Sequence, residues 1–530
     1  MYQILAITQV CLSAVTCFYF YQTMRAQRQS RPEFKAETKR ELEKLHKMNR
    51  VKLTVPLSEK VRPTSFAEIC GQEEGKKALR AALCGENPQH VIIYGPPGVG
   101  KTAAARAALF EAGKNPSSPF GADAKFVEMD AATLRYDERG IADPLIGSVH
   151  DPIYQGAGAY GPGGIPQPKA GAVTKAHGGI LFLDEIGELP PMQLNRLLKV
   201  LEDRRVYFES AYYSRDNKEI PGHIHEIFKN GLPADFRLVG ATTRTPQEMP
   251  AALRSRCTEI FFDALSKPEI CTIAACSAEK SGFLVEDGAV QCIADFAASG
   301  RDAVNMMQTA GSLAKSEGRA SITAADILWV AEAGRYKAAY APHFSGKKKV
   351  GTASALAVTG PGSGAVLPIE ATVTAREGRG GLTVMGAAET ESISFGARQL
   401  SRRSTAFSAA ECALRFLEST YGISETDAAV TVSYPGGAMA DGPSAGLAVL
   451  AAIYSAAREV PLPDTWAFVG EITPRGAVLP VGGMQEKLRA AKEAGITHVY
   501  MPKENAAQMA ETGLSIIPIE SGGALLSMFS

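Results

Sequence analysis

Three groups of residues in this chain have the types and spacing to do chemistry. The first is Gly95-Pro96-Pro97-Gly98-Val99-Gly100-Lys101-Thr102. Its glycines let backbone N–H groups wrap a triphosphate, Lys101 reaches toward the β- and γ-phosphates, and the Thr102 hydroxyl is a ligand for Mg2+. The second is Asp184-Glu185, which ends the apolar run Ile180-Leu181-Phe182-Leu183 roughly 80 residues after the loop. Asp184 is placed to hold Mg2+ and Glu185 to direct the attacking water, so the pair predicts hydrolysis of the triphosphate and not mere binding. The third is Ser444, in Asp441-Gly442-Pro443-Ser444-Ala445-Gly446 at the mouth of an apolar helical stretch, where backbone N–H groups suit an oxyanion. A serine nucleophile needs a base. Gly442-x-Ser444-x-Gly446 fits a nucleophile elbow, with Asp464 and His498 following in the required order. The rival base is Lys487, in Gly482-Gly483-Met484-Gln485-Glu486-Lys487-Leu488, which serves only if burial lowers its pKa. A serine at a helix start is also an ordinary N-cap, and these residues alone leave all three readings open.

Such groups need elements to hold them. Val91 to Tyr94 reads as a buried strand of a parallel sheet, emptying into the glycine loop and then into an alanine-rich helix. Phe126 to Asp130 and Arg237 to Thr243 read as further strands, and the Thr243 hydroxyl ends the second where it can meet water or phosphate. Leu253-Arg254-Ser255-Arg256-Cys257 sets two arginines beyond a proline turn, and arginine suits stabilisation of phosphoryl charge because it is planar and always charged. Ile141 to Thr174 is dense in Gly and Pro and predicts a long functional loop. His223-Ile224-His225 has no cysteine partners nearby and reads as a surface loop. Ser266 to Lys337 has helical periodicity, with a helix start at Ser321-Ile322-Thr323-Ala324-Ala325-Asp326, and Pro342 to Lys349 has linker composition. From Val350 the runs turn β-like; Pro368 within Ala365 to Val373 predicts an edge position or a bulge.

Composition narrows the class. A length of 530 residues predicts several domains. Lys+Arg and Asp+Glu are both 56, which argues against a general nucleic-acid binder, and no nucleic-acid partner is expected. Nine scattered cysteines without a CxxC pair indicate a reducing compartment, not a disulfide frame or a zinc site. Met1 to Met24 has no charged side chain and is just long enough to span a bilayer, with Arg25, Arg28, Arg31 and Lys35 following. That pattern predicts a single-pass anchor in the cell membrane with the catalytic domains in the cytoplasm. Leu42, Leu45 and Met48 beyond it have helical spacing, as in a juxtamembrane helix or short stalk.

The order of these pieces resembles an AAA+ ATPase: glycine loop, acidic strand, threonine strand, arginine pair, then Gly300-Arg301-Asp302-Ala303-Val304-Asn305 in a helical segment. The resemblance implies that Thr243 is sensor 1, Arg256 an arginine finger acting in a neighbouring subunit, and Arg301 sensor 2 in a lid, within a homo-oligomeric ring, most often a hexamer. The Gly/Pro-rich region matches the pore loop. Lon-type relatives place an aromatic there before a Gly-Ser step; here Leu145-Ile146 precede Gly147-Ser148, leaving Ile146 or Tyr154 to grip substrate. Phe208 to Lys229 resembles the hairpin inserted before sensor 1. DGPSAG, VGEITPRGAVLPVGG and EKLRAAKEAG closely match the proteolytic domain of Lon-type ATP-dependent proteases, from about Leu57 to the C-terminus overall. With the N-terminal anchor, the chain is similar to the short, membrane-anchored B form of spore-forming bacteria.

That resemblance implies Ser444 as nucleophile and Lys487 as general base, without histidine. It also implies an architecture: anchor 1–24, juxtamembrane helix or linker 25–60, α/β AAA+ P-loop domain 61–265, α-helical lid 266–340, linker 341–350 and α+β Ser-Lys protease domain 351–530. The implied activity is ATP- and Mg2+-dependent unfolding, threading and cutting of unfolded or regulatory proteins. Val469 stands where the family has a threonine that orients the lysine, which keeps open a remodelling or chaperone ATPase with an idle protease domain. Gly240-Ala241-Thr242-Thr243-Arg244 also resembles the sensor strand of branch-migration ATPases, although neutral charge speaks against a DNA motor.

Overall fold

The computed structural model describes residues 13–22, 42–50, 55–134, 143–150, 165–210, 213–217, 220–338, 344–375, 380–386, 390–395, 398–424, 426–435, 443–509 and 513–529. Contacts within the chain divide it into Met1–Lys60 and Val61–Ser530. In the first unit, helices cover 13–22 and 42–50, and Leu42, Leu45 and Met48 are all exposed on the latter. Among the described residues no helix is long and apolar enough to cross a membrane. The expected transmembrane anchor over 1–24 is thus not supported by the described residues; residues 1–12, 23 and 24 lie outside them.

Among the described residues, the second unit is built on two large sheets, with six two-stranded pairings besides. The first comprises β1 (Val91–Tyr94), β2 (Phe126–Asp130), β3 (Ile180–Asp184), β4 (Arg237–Thr242) and β5 (Thr258–Phe261), in the order β2-β3-β4-β1-β5. Every pairing is parallel. Helices cover both faces, which is why β1 is buried at all four positions and reads as an unbroken apolar run. On one face lie α1 (Glu73–Leu83) and α2 (Lys101–Ala112); Ala103, Ala104, Ala105, Ala107 and Ala108 of α2 are buried, their small side chains letting it lie close to the sheet. The other face packs α3 (Pro191–Asp203) through Leu194, Leu197 and Leu198.

Four helices follow: α4 (Lys267–Ser281), α5 (Ala289–Phe296), α6 (Gly300–Ser316) and α7 (Ala324–Ala333). They share a separate core of Ile270, Ala274, Ile293, Met306, Met307 and Ile327. Capping boxes start two of them, Ser266–Glu269 before α4 and Thr323–Asp326 before α7, satisfying N–H groups that a helix start leaves unpaired.

The second sheet is mixed. Its strands are β6 (Thr352–Gly360), β7 (Ser363–Ala375), β8 (Gly381–Met385), β9 (Ala428–Ser433), β10 (Trp466–Phe468), β11 (His498–Pro502) and β12 (Ser515–Ile519), in the order β8-β9-β7-β6-β10-β11-β12. Strand alternation divides its side chains between two cores. Ala353, Ala355 and Phe468 join the core under α8 (Thr405–Tyr421) and α9 (Gly446–Arg458). Leu356, Ala467 and Val469 join the one under α10 (Met484–Glu493). The expectation for Pro368 needs amending. It lies in β7, an internal strand, opposite Ser354 of β6, but the ladder to β9 begins only at Glu370. Around Pro368 the described register pairs the strand on one side alone, so the missing N–H is tolerated there.

Candidate active sites

The glycine loop leaves the C-terminal end of β1. Gly95, Gly98 and Gly100 have φ of +152°, +74° and +98°, values that side-chain-bearing residues rarely adopt. A Cβ at Gly95 would also lie 2.4 Å from the carbonyl oxygen of Phe262, so no other residue fits. Val99 is buried beneath the loop and Thr102 is half-buried in the first turn of α2. Lys101 is only 7 % exposed, and its Nζ donates to the carbonyls of Gly95, Pro96 (3.1 Å) and Thr242 (3.4 Å). Burial pulls its pKa below the usual lysine value, against the opposing charges of Glu185 and Asp184. The ammonium's hydrogen bonds go to carbonyls and not to either carboxylate, so triphosphate oxygens can take their place as charged acceptors; the loop fits that group.

The acidic pair ends β3. Burial, then the charge of Glu185, raises the pKa of Asp184, a carboxyl that a divalent cation would hold ionised. Asp184 thus fits the expected Mg2+, together with the Thr102 hydroxyl. Glu185 sits at φ +47° without being glycine, strain on the order of 1–3 kcal/mol of the kind that persists where surroundings over-determine a residue. Those surroundings are visible: Glu185 Oε2 accepts from the backbone N of Thr243 at 3.2 Å and from its Oγ1 at 3.1 Å. Thr243, just past β4, therefore holds the carboxylate beside Asp184.

The helix α6 starts against the same loop. A Cβ at Gly98 would lie 2.9 Å from the Ser299 side chain and 3.4 Å from the Cβ of Arg301, which is itself exposed. Arg256 is elsewhere. It precedes β5, which runs parallel to β1 with Thr258 opposite Val91. It therefore lies at the base of the sheet, about 13 Å of strand from the loop. There it is 38 % exposed in its side chain, ion-paired with Glu202, and Nη1 donates to Ala252 O at 2.8 Å. The structure gathers Lys101, Asp184, Glu185, Thr243 and Arg301 around one loop and leaves Arg256 out.

Three expectations change here. Ile146 is 4 % exposed and packs with Leu145 into the core, while Asp143 accepts from the backbone N of both. A side chain so buried cannot grip a passing chain; Tyr154 lies outside the described residues. The Gly/Pro-rich region also contains a hairpin, Gly147–His150 paired with Gln167–Ala170. The expected hairpin over Phe208 to Lys229 is instead a short pairing of Arg205–Val206 with Leu232–Pro233, closed over a helix at Gly222–Asn230. His223-Ile224-His225 therefore lies on a helix and not in a loop, with His225 Nδ1 3.0 Å from Tyr213 Oη.

Ser444 lies in a 3-10 turn, Pro443–Ala445, directly before α9, and is 8 % exposed. Ala445, not Ser444, occupies the N-cap, so the serine side chain is not spent on capping. Asp441 and Gly442 lie outside the described residues. Gly470 N donates to Ser444 O at 2.9 Å, which ties the turn to the end of β10. Lys487 lies in the first turn of α10, 3 % exposed, with Nζ donating to Gly482 O at 2.9 Å. Burial lowers its pKa to about 8, against a smaller opposing pull from Glu486.

The two helices lie on opposite faces of the sheet but start at the same end of it. β6 runs parallel to β10 with Ala355 opposite Phe468, so Val358 stands level with Glu471. A Cβ at Gly483, the residue before α10, would lie 2.4 Å from the Val358 side chain. Val469, fully buried, shares its cluster with Met484 and Leu488 of α10 and adjoins the residue that holds Ser444. Asp464 and His498 are at the other end. His498 pairs with Trp466 at the start of β10, and Asp464 accepts from Gly346 N at 2.7 Å. The hydrolase-type triad is therefore not assembled; the lysine is at the serine's end of the sheet.

Comparison with known proteins agrees with both halves. The family described as Lon protease (S16) C-terminal proteolytic domain matches residues 330–518, and that described as magnesium chelatase, subunit ChlI, matches residues 65–258. Lon protease 2 of Bacillus subtilis is 50 % identical over 515 residues, 97 % of this chain and 93 % of its own. The archaeal Lon protease of Methanothermobacter thermautotrophicus is 28 % identical over 73 % of this chain and 63 % of its own. Among solved structures, the RuvB Holliday junction branch migration motor of Thermotoga maritima aligns with 52 % of this chain and 73 % of its own at 22 % identity and a TM-score of 0.36, from which we draw nothing. A nucleotide loop beside paired carboxylates, a buried serine and lysine at one end of a second sheet, and half-identity over nearly the full length together show that this chain belongs to the Lon family of ATP-dependent serine proteases.

Proposed function

We propose that Ser444 is the nucleophile and Lys487 the general base of this protease. The observation that carries the reading is a lysine 3 % exposed with its pKa brought down to about 8, at the same sheet end as a serine whose side chain caps nothing. A neutral amine takes the proton from Ser444 as its oxygen attacks the peptide carbonyl, and returns it to the leaving amine. Val469 shares a buried apolar cluster with Met484 and Leu488, the neighbours of Lys487 on α10, and offers no oxygen there; the lysine's recorded hydrogen bond goes to Gly482 O instead.

In the same reading Gly95 to Gly100 cradle the triphosphate, Lys101 contacts its terminal phosphates, Thr102 and Asp184 hold Mg2+, and Glu185 orients the water under the control of Thr243. Mg2+ would screen the phosphate oxygens during attack. Arg301 faces the triphosphate from the α6 side. Arg256, at the base of the sheet, serves a neighbouring copy in a ring, most simply a hexamer, that threads unfolded or regulatory proteins to Ser444. These catalytic parts work in the cytoplasm, where ATP is. The deciding experiment compares Lys487→Gln with His498→Ala in ATP-dependent degradation of an unfolded protein. Loss in the lysine variant alone is expected, and loss in the histidine variant alone would replace the dyad with a triad.

A further inference from the structure

Arg254 and Arg256 are two residues apart and are held by different carboxylates, Arg254 by Glu259 of the sheet and Arg256 by Glu202 of α3. Arg254 ends a helix of four residues, Ala251–Arg254. Its Nε donates to Glu259 Oε1 at 2.6 Å and its Nη2 to Oε2 at 3.3 Å, a two-pronged contact on β5. The same Oε1 accepts from the hydroxyl of Tyr94 at 2.8 Å. Tyr94 is fully buried, stacks on Phe261 at 5.1 Å between ring centres, and is the last residue of β1 before Gly95. Arg256 donates to Glu202 from Nε at 3.2 Å and from Nη2, and to Ala252 O from Nη1, but the Glu202 side chain is 57 % exposed against 27 % for Glu259, and the more exposed pair holds its members more weakly.

We propose that Tyr94 and Glu259 are positioning residues for the trans-acting arginine. By fixing Arg254 they set the turn Ser255–Cys257 and so aim Arg256 outward from the base of the sheet, toward the neighbouring copy's triphosphate. The inference rests on the reading of Arg256 given above. A one-turn helix followed by a turn has little rigidity of its own, and a group that stabilises developing charge loses its effect when misplaced by even about 1 Å. The carboxylate is held ionised chiefly by its hydrogen bond from Arg254, and the two-pronged, charge-assisted geometry, with Tyr94 as a third partner, fixes Arg254 more tightly than a single contact would.

The test uses the full chain. Glu259→Gln keeps the shape and the Tyr94 contact but removes the charge from Arg254. The kcat for ATP should fall about tenfold or more, with KM and the affinity for a fluorescent ATP analogue unchanged, because the copy's own loop is untouched. Tyr94→Phe should act in the same direction and less. Copies carrying Glu259→Gln are then mixed in equal amounts with Lys101→Ala copies, which keep Arg256 and lose nucleotide binding. ATPase should rise above the sum of the separate preparations, as competent loops now face well-aimed arginines. A parallel mixture of Arg256→Ala and Lys101→Ala copies reports on Arg256 itself. An unchanged kcat, a raised KM, or no recovery in the first mixture when the second recovers would overturn the positioning role. No recovery in the second mixture would overturn the trans reading of Arg256, and the inference with it.

Discussion

In the assignment proposed above, the two active sites of this protease are tuned by opposite means. In the nucleotide half, reactive groups are set by one another: Asp184 by burial and Glu185, Glu185 by the Thr243 backbone and hydroxyl, and Lys101 by burial against two carboxylates. In the proteolytic half, Lys487 is set chiefly by removal from water, with Val469, Met484 and Leu488 in the adjoining cluster. The difference follows from the substrates. A triphosphate and its cation bring large charges that pre-placed charges can meet. A peptide bond brings none, so the amine must be made neutral before it can accept a proton, and desolvation does that without a partner.

The strongest way to break this comparison is to disable each site alone. Ser444→Ala should lower peptide cleavage by about a thousandfold or more while ATP turnover continues. Glu185→Gln should preserve ATP binding and stop turnover by a similar factor. Turnover assays and cleavage of a short peptide that needs no unfolding check this on both variants; loss of ATP turnover in the Ser444 variant, or of short-peptide cleavage in the Glu185 variant, would show that the halves are not separable. Next in size is the pH profile. A base with a pKa lowered to about 8 is protonated below that value. Peptide cleavage should therefore climb about tenfold per pH unit below 8 and level off above it, measured as kcat/KM. A profile flat from about pH 6 would mean that the lysine is not the base.

Thr243→Val tests the nucleotide half more gently. It removes the hydroxyl that Glu185 accepts at 3.1 Å and leaves the backbone contact at 3.2 Å. The kcat for ATP should fall about tenfold with little change in KM; an unchanged kcat would leave the backbone contact sufficient. The smallest effect is expected from Val469→Thr. An oxygen beside α10 stabilises the ammonium, so the cleavage profile should move to higher pH by about half a unit or less. A shift to lower pH would reverse the desolvation argument.

Much of this was legible in the chain because its signals are local. Val91 to Thr102 declares strand, loop and helix in one stretch, and Ile180 to Glu185 carries its carboxylates at the strand's end. The capping box of Thr323 and Asp326 was likewise readable as a helix start. Other features were misread for an equally physical reason. Leu145-Ile146 stands where a gripping residue was expected, yet both side chains are apolar and a core was available to take them. Glu259 and Glu202 went unnoticed because nothing near them in sequence marks them; their partners arrive from other elements.

The sequence by itself determined the chemistry on offer: the glycine loop, the acidic pair, the serine and the lysine, because each needs only residue type and neighbours along the chain. Tertiary structure decided which of these meet. It put His498 and Asp464 at the far end of β10 from Ser444, brought the starts of α9 and α10 to one end of the sheet, and carried Arg256 a strand's length away from its own loop. Those outcomes depend on strand order and register, which arise from pairing between segments remote in sequence, and no local pattern encodes them.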